Sequence, residues 1–272
     1  KELFIRAISG AIYVLLLVGS LYFQETTIVI LTIFGMLSLI EFSKLIKLKS
    51  YIQYIIFILL YFGFWYISLY NKNLTGSDEA IQILLVITIF VNLILIKDLF
   101  TTRKIPLFES KRFFATTFYL SSGFVFMLLI AHNQHNFTPL LLLGAFLLVW
   151  INDSAAYLVG KNFGRQKLFP SVSPKKTVEG FLGGLFFACI ASYFIAFYTE
   201  TLGSTRWLIL AIIISVFGTL GDLIESKFKR QAAVKDSGAM MPGHGGLLDR
   251  LDSIIFASPF IYLFLRIITY VS

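Results

Sequence analysis

Six carboxylates lie within or beside the long apolar stretches of the second half of the chain. Asp222 and Glu225 are three residues apart, as are Asp249 and Asp252, so each pair shares one face of a helix. Carboxylates gathered in a low-dielectric setting repel one another, and hard divalent cations such as Mg²⁺ are their usual partners. We predict that Asp222 and Asp249 bind a metal ion, with Asp153 and Asp252 as weaker candidates. The six are Asp153, Glu179, Asp222, Glu225, Asp249 and Asp252.

Internal salt bridges are the alternative explanation for these acids. Lys227, Lys229 and Arg250 are close enough in sequence to neutralise them. For Glu225 and Asp252 this alternative stays open.

A second polar segment, residues 173–180, carries two adjacent lysines. Ser173 is predicted as the N-cap of a helix and Pro174 as its first residue, because these residue types favour those positions. Lys175 and Lys176 would then oppose the helix dipole, which makes sense if an anion binds there. Orientation of the chain in a membrane is the open alternative for the two lysines. The predicted polyphosphate ligands here are Ser173, Lys175, Lys176 and Thr177.

A third polar segment, residues 226–249, is rich in glycine and charge. The glycines around His244 allow positive φ and close backbone approach, as phosphate-binding turns require. An ordinary flexible turn would explain the glycines alone, but not the flanking charges. The predicted phosphate ligands in and beside this segment are Arg230, Lys235, Gly245, Gly246 and Arg250.

The elements that position these residues are predicted to be transmembrane helices. The 272 residues are 57% hydrophobic and only 14% charged, far outside the range of a soluble domain. A bilayer core about 30 Å thick is spanned by about 20 apolar helical residues. We predict an all-α polytopic bundle, with residues 1–131 (about five spans) and a catalytic region 132–272 (about four spans) in one integrated membrane domain. The nine spans lie near 3–23, 26–43, 51–70, 80–96, 112–131, 138–159, 177–198, 206–225 and 250–271.

The basic residues predict the orientation of this bundle. With a cytoplasmic N-terminus, 20 of the 23 Lys and Arg residues fall in inside segments, and Lys72, Arg206 and Arg266 stay outside. The positive-inside rule then predicts an N-in, C-out protein of the cell (inner) membrane, with the acids near its cytoplasmic surface. The net charge of +8 is interpreted as an orientation signal and an attraction to anionic lipid, and no nucleic-acid partner is expected.

At these segments the chain resembles the phosphatidate cytidylyltransferase (CDP-diacylglycerol synthase) family. The segments around Asp153 and Lys175 look like other polar patches of that family, and the first five spans show compatible hydropathy only. Met241 stands where the family usually carries Leu, Ile or Phe, a change of little consequence for volume. The matching motif is Ser226-x-Phe228-Lys229-Arg230, then Lys235-Asp236-x-Gly238, then Pro242-x-His244-Gly245-Gly246-Leu247-x-Asp249-Arg250-Leu251-Asp252.

The resemblance implies a Mg²⁺-dependent homodimeric enzyme that converts CTP and phosphatidic acid into CDP-diacylglycerol and pyrophosphate. It also implies metal binding by Asp222 and Asp249, with a second, monovalent cation such as K⁺. The lipid phosphate would attack the α-phosphorus of CTP, so positioning and charge neutralisation would carry the catalysis. His244 is predicted to steer a phosphate oxygen or to protonate the departing pyrophosphate, and a structural role in the turn is equally open.

Three other functions fit parts of the pattern. A cation-coupled transporter also buries carboxylates, but transport sites usually lie near the membrane midplane and accompany internal repeats, and no repeat is visible. A CTP-dependent lipid kinase could share a similar nucleotide site and would differ in its products. A noncatalytic membrane scaffold gives no reason for the acids.

Overall fold

The computed structural model describes residues 2–69, 76–101, 104–132, 136–243 and 245–271. His244 lies outside the described residues, so its role stays a prediction. The described residues form a helical bundle with one small hairpin of two strands. Its elements are α1 (Glu2–Ser20), α2 (Gln24–Leu45), α3 (Ile52–Leu69), α4 (Ser77–Phe100), α5 (Glu109–Phe114), α6 (Ser122–Ala131), α7 (Pro139–Phe163), β1 (Lys167–Phe169), β2 (Ser173–Thr177), α8 (Val178–Thr199), α9 (Ser204–Gln231) and α10 (Leu248–Val271).

The predicted all-α polytopic bundle is confirmed. A π-helical turn, Ala115–Ser121, joins α5 to α6, so that the two make one long helix. In the described part of the chain, seven helices are long and apolar enough to span a membrane, and α1 and α3 are apolar helices at the two remaining predicted spans. Large side chains on the outer surface, such as Phe186 and Phe197 of α8, are exposed, as in a lipid-facing surface. The chain is therefore an integral membrane protein.

Helix α9 extends further than the sequence predicts. Its predicted span stops at residue 225, yet the helix continues to Gln231. The continuation is possible because Lys227 finds buried partners: its ammonium group donates to the carbonyl of Asp98 and to those of Leu99 at 3.2 Å and Thr101 at 2.8 Å. These carbonyls lie at the end of α4, where a helix has no amide donors left. Lys227 therefore joins α9 to α4.

The hairpin between α7 and α8 corrects the prediction of a helix start at Ser173. That residue lies in β2, which pairs antiparallel with β1, so Ser173 is not an N-cap. The cap of α8 is Thr177, whose Oγ1 accepts the N–H of Gly180 at 3.1 Å. Pro174 fits a strand of a small hairpin because it has no amide to lose from the ladder. Lys175 and Lys176 therefore precede α8 instead of lying in its first turn.

The last four helices pack in chain order, α7 on α8, α8 on α9 and α9 on α10, and α10 also packs on α6 and α2. A Cβ on Gly221 would lie 2.6 Å from the Cβ of Phe256, so this glycine lets α9 and α10 approach closely. In the last turns of α9, the ring of Phe228 packs edge-on against the ring of Phe42 from α2, with ring centroids 5.1 Å apart. Helices from both predicted regions therefore share one core, while the division at residue 131 stays a prediction.

Candidate active site

A cleft of about 560 Å³ opens between α7, β2, α9 and α10. Its wall combines carboxylates with basic side chains, and it also has apolar positions such as Leu168 and Phe181. Eight predicted site residues line this cleft, although they come from four separate elements. They are Asp153, Lys175, Lys176, Thr177, Asp222, Asp249, Arg250 and Asp252.

Five predicted site residues among those described lie away from the cleft lining. Arg230 uses its guanidinium to hold backbone: Nε donates to the carbonyl of Val172 at 3.3 Å and Nη1 to that of Val234 at 3.0 Å. Lys235 is exposed on the loop that follows α9. Predicted phosphate binding by these five stays a prediction. They are Ser173, Arg230, Lys235, Gly245 and Gly246.

The strongest contact across the cleft joins β2 to α9. The ammonium group of Lys176 pairs with the carboxylate of Asp222, and both side chains are about one-third exposed (29% and 30%). Ser226, one helical turn further along α9, donates its hydroxyl to Asp222 Oδ1 at 3.2 Å. Burial lowers the pKa of Lys176, but the charge and hydrogen bond of Asp222 outweigh it and hold the pKa above its ordinary value. Lys176 is therefore cationic across the physiological range.

Three carboxylates, two in the cleft lining and one buried beside it, are placed to hold a metal ion. Ligand oxygens of Asp222, Glu225 and Asp252 lie within 4.8 Å of one another. Glu225 is fully buried, and its Oε2 pairs with the ammonium group of Lys229. Its Oε1 has no hydrogen-bond partner among the described residues. An orphaned buried carboxylate oxygen beside two further acids fits a hard divalent cation.

Asp249 has a different set of contacts from this group of three. Its Oδ1 accepts the ammonium group of Lys229 at 2.6 Å. Its Oδ2 accepts three donors: the N–H of Ser237 at 2.9 Å, the Ser237 hydroxyl at 3.0 Å and the N–H of Gly246 at 2.8 Å. Asp249 therefore fixes the glycine-rich loop, residues 232–247 between α9 and α10, against the cleft. Metal binding by Asp249 stays a prediction, as it does for Asp153, whose Oδ1 accepts the Asn152 amide at 3.3 Å.

The glycine-rich loop turns back on itself before α10. Met241 and Gly245 exchange backbone hydrogen bonds of 2.9 and 3.2 Å. Gly245 has a φ of +92°, which residues with a side chain rarely adopt. The expected close turn is confirmed, and it brings Asp249 and Arg250 to the cleft.

The chain is similar in sequence to known enzymes. The profile of the cytidylyltransferase family matches residues 4–268. This chain belongs to the cytidylyltransferase family. It is 35% identical over 259 residues to the phosphatidate cytidylyltransferase of Bacillus subtilis, a match that covers 93% of this chain and 92% of that protein.

Staphylococcal relatives match over a shorter stretch. The phosphatidate cytidylyltransferases of Staphylococcus aureus and Staphylococcus haemolyticus are each 48% identical to this chain over 126 residues. These matches cover 46% of this chain and 48% of each relative, so they span about half the length of those proteins.

Glu41 is a site residue that the sequence interpretation missed. It lies on α2, is only 4% exposed, and its carboxylate accepts hydrogen bonds from the glycine-rich loop and from the start of α10. A signal was available, because an acid within the predicted span 26–43 is as unusual as the acids of the second half. Nothing in the sequence indicates that α2 lies beside the loop some 200 residues later.

Proposed function

We propose that the protein is a phosphatidate cytidylyltransferase, which transfers CMP from CTP to phosphatidic acid and releases CDP-diacylglycerol and pyrophosphate. The observation that carries this proposal is the cleft in which two acids of the metal-binding group line the same wall as Lys175, Lys176 and Arg250. Membership of the cytidylyltransferase family and similarity to bacterial phosphatidate cytidylyltransferases support the same reaction.

The proposed cation is Mg²⁺, held by Asp222, Glu225 and Asp252. When bound, it would supply positive charge to the phosphates of CTP. Asp249 and Asp153, also predicted as metal residues, line the same cleft. A second, monovalent cation such as K⁺ would also bind, as the family resemblance implies.

The protein's own residues would bind and orient two anionic substrates. Lys175, Lys176 and Arg250 line the cleft and would neutralise phosphate oxygens. The lipid phosphate is itself the nucleophile: its oxygen forms a bond to the α-phosphorus of CTP as the bond to pyrophosphate breaks. A cleft that fixes both phosphates in line would lower the barrier mainly through orientation and charge.

The membrane setting would give the lipid access to this cleft. The cleft lies where α7, α9 and α10 meet the hairpin, and these three helices are long enough to span a bilayer. We propose that this end faces the cytoplasm, supported by the distribution of Lys and Arg. We also propose a homodimer, as the resemblance implies; the mass of the purified protein in nanodiscs would test it.

The experiment is a radiolabelled CTP assay with the purified protein in vesicles containing phosphatidic acid, with and without Mg²⁺. We expect labelled CDP-diacylglycerol and equimolar pyrophosphate, and loss of both in EDTA. Formation of CDP and a phosphorylated lipid would instead identify a lipid kinase. Movement of a solute across the vesicle membrane without consumption of CTP would identify a transporter.

A further inference from the structure

Glu41 is a buried acid of α2 that contacts the loop before α10. Its Oε1 accepts the N–H of Leu247 at 3.2 Å, and its Oε2 accepts the N–H of Leu248 at 2.9 Å. Oε2 also lies 3.1 Å from the hydroxyl of Ser237. All three donors are neutral groups of the segment that ends at Asp249. Glu41 therefore contacts the glycine-rich loop at Ser237 and again where the loop joins α10.

Two of these contacts cap helix α10. Leu248 is its first residue, and the amides at a helix start have no acceptor within the helix. A carboxylate at this position satisfies the amides and also interacts favourably with the helix dipole. Caps usually come from the residue that precedes the helix, but here Leu247 has no polar side chain and Glu41 supplies the acceptor from α2.

The third contact links Glu41 to Asp249 through Ser237. The Ser237 hydroxyl lies 3.1 Å from Glu41 Oε2 and 3.0 Å from Asp249 Oδ2. A hydroxyl has one proton to donate, so the two carboxylates share a single donor. Any shift of Glu41 therefore changes the hydrogen bonding of Asp249, whose other oxygen holds Lys229 at 2.6 Å.

The surroundings leave little room for a different arrangement. A Cβ on Gly246 would lie 2.5 Å from Glu41 Oε2 and 2.8 Å from the amide nitrogen of Gly238. The absence of a side chain at Gly246 thus lets the loop close onto the carboxylate.

We propose that Glu41 is a positioning residue for the active site: by capping α10 and sharing Ser237 with Asp249, it sets the position of Asp249 at the cleft and of Lys229, which pairs with Asp249. The inference rests on the proposed function, because it assigns Glu41 to the same reaction. Glu41 itself touches neither substrate; it acts through the loop.

The first test compares Glu41→Gln with Glu25→Gln. Glutamine keeps the size of the side chain, but its amide group turns a donor toward the donors of the loop. Because misplacement by about 1 Å can lower turnover up to 100-fold, we expect kcat of Glu41→Gln to fall about 10-fold to 100-fold. KM for phosphatidic acid should stay within about twofold if the change acts on orientation. Glu25 lies exposed on the same helix, so its variant should keep the wild-type kcat.

The second test separates positioning from general stability with a double-mutant cycle. If Glu41 acts through Asp249, then Asp249→Asn should lower kcat by a much smaller factor in the Glu41→Gln background than in the wild type. In the Glu25→Gln background, Asp249→Asn should lower kcat by the same factor as in the wild type. Ser237→Ala removes the hydroxyl that Glu41 and Asp249 share, so it should also lower kcat. Wild-type kcat in Glu41→Gln, or additive effects with Asp249→Asn, would overturn the proposal.

Hydrogen exchange distinguishes failure of this inference from failure of the proposed function. Even if the wild type made no CDP-diacylglycerol, the amides of Leu247 and Leu248 should exchange slowly in it and much faster in Glu41→Gln. Equal exchange in the two proteins would overturn the placement of Glu41, whatever reaction the cleft carries out.

Discussion

Lys176 of β2 and Asp222 of α9 neutralise each other across the cleft. Each is also a proposed ligand of a different bound species: Lys176 of a phosphate and Asp222 of a cation. Binding of an anion to Lys176 releases Asp222 from its internal partner, and binding of a cation to Asp222 does the same for Lys176. Nucleotide and Mg²⁺ should therefore bind with positive coupling.

The carboxylate of Asp222 should be essential. In Asp222→Asn, a neutral amide replaces a metal-binding oxygen next to two other acids, so we expect turnover to fall by about 100-fold or more at saturating Mg²⁺. Formation of CDP-diacylglycerol is the measurement. The control is Asp78→Asn, which removes an acid that is 61% exposed and pairs with Arg266. Near-normal turnover of Asp222→Asn would contradict the metal assignment.

Lys176 should contribute the same amount of stability throughout the physiological pH range. Asp222 raises the pKa of Lys176 in the folded protein. The stability gained from the charge is therefore complete below the ordinary lysine pKa, and it is lost only as the pH rises through the folded-state pKa. Between about pH 6 and pH 9, well below the ordinary lysine pKa of about 10.4, the difference in melting temperature between wild type and Lys176→Gln should stay constant. A difference that shrinks as the pH rises from 6 to 9 would refute this.

Lys227 should matter for stability and not for chemistry. Replacement by Met leaves the carbonyls at the end of α4 without their donor, and we expect a loss of about 2 kcal/mol, seen as a lower melting temperature in detergent. Lys97→Met is the matched control, because Lys97 is exposed in the last turn of α4, and this variant should change the melting temperature little. Equal melting temperatures for the two variants would show that the capping contacts contribute nothing.

Gly246→Ala should reduce activity without preventing insertion into the membrane. The new methyl group would lie 2.0 Å from the Ser237 hydroxyl oxygen and 2.5 Å from the Glu41 carboxylate, so it would break the contacts that hold the loop to α2. We expect kcat to fall about 10-fold or more. Gly203→Ala is the control, because nothing lies within 4 Å of a Cβ at that position. Comparable activity of the two variants would argue against the tight closure of the loop.

The helices were predictable because hydropathy and length decide which segments can span a membrane. Every predicted span coincides with a helix, and the largest error, the end of α9, occurs where Lys227 is satisfied by carbonyls from a distant helix. Sequence periodicity contains no information on such partners. The hairpin was missed for a related reason: the signals for a cap at Ser173 are local, while the pairing of β1 with β2 decides the outcome.

The acids of the site were predictable as a set, but their partners were not. Spacing placed Asp222 and Glu225 on one face of a helix, and they do lie together with Asp252. Spacing did not show that Lys176 reaches Asp222, or that Lys229 lies between Glu225 and Asp249. Glu41 stayed out of the predicted site because its contacts depend on how α2 packs against α10.

The contact between Glu41 and the start of α10 also constrains how the protein is made. The ribosome completes α2 about 200 residues before it reaches Leu248, so Glu41 enters the membrane long before the amides that donate to it exist. During that interval the carboxylate must be hydrated or protonated, because an ionised acid alone in lipid costs several kcal/mol. Insertion of α10 then supplies the missing donors, so these contacts form only after the other helices that line the cleft have been made.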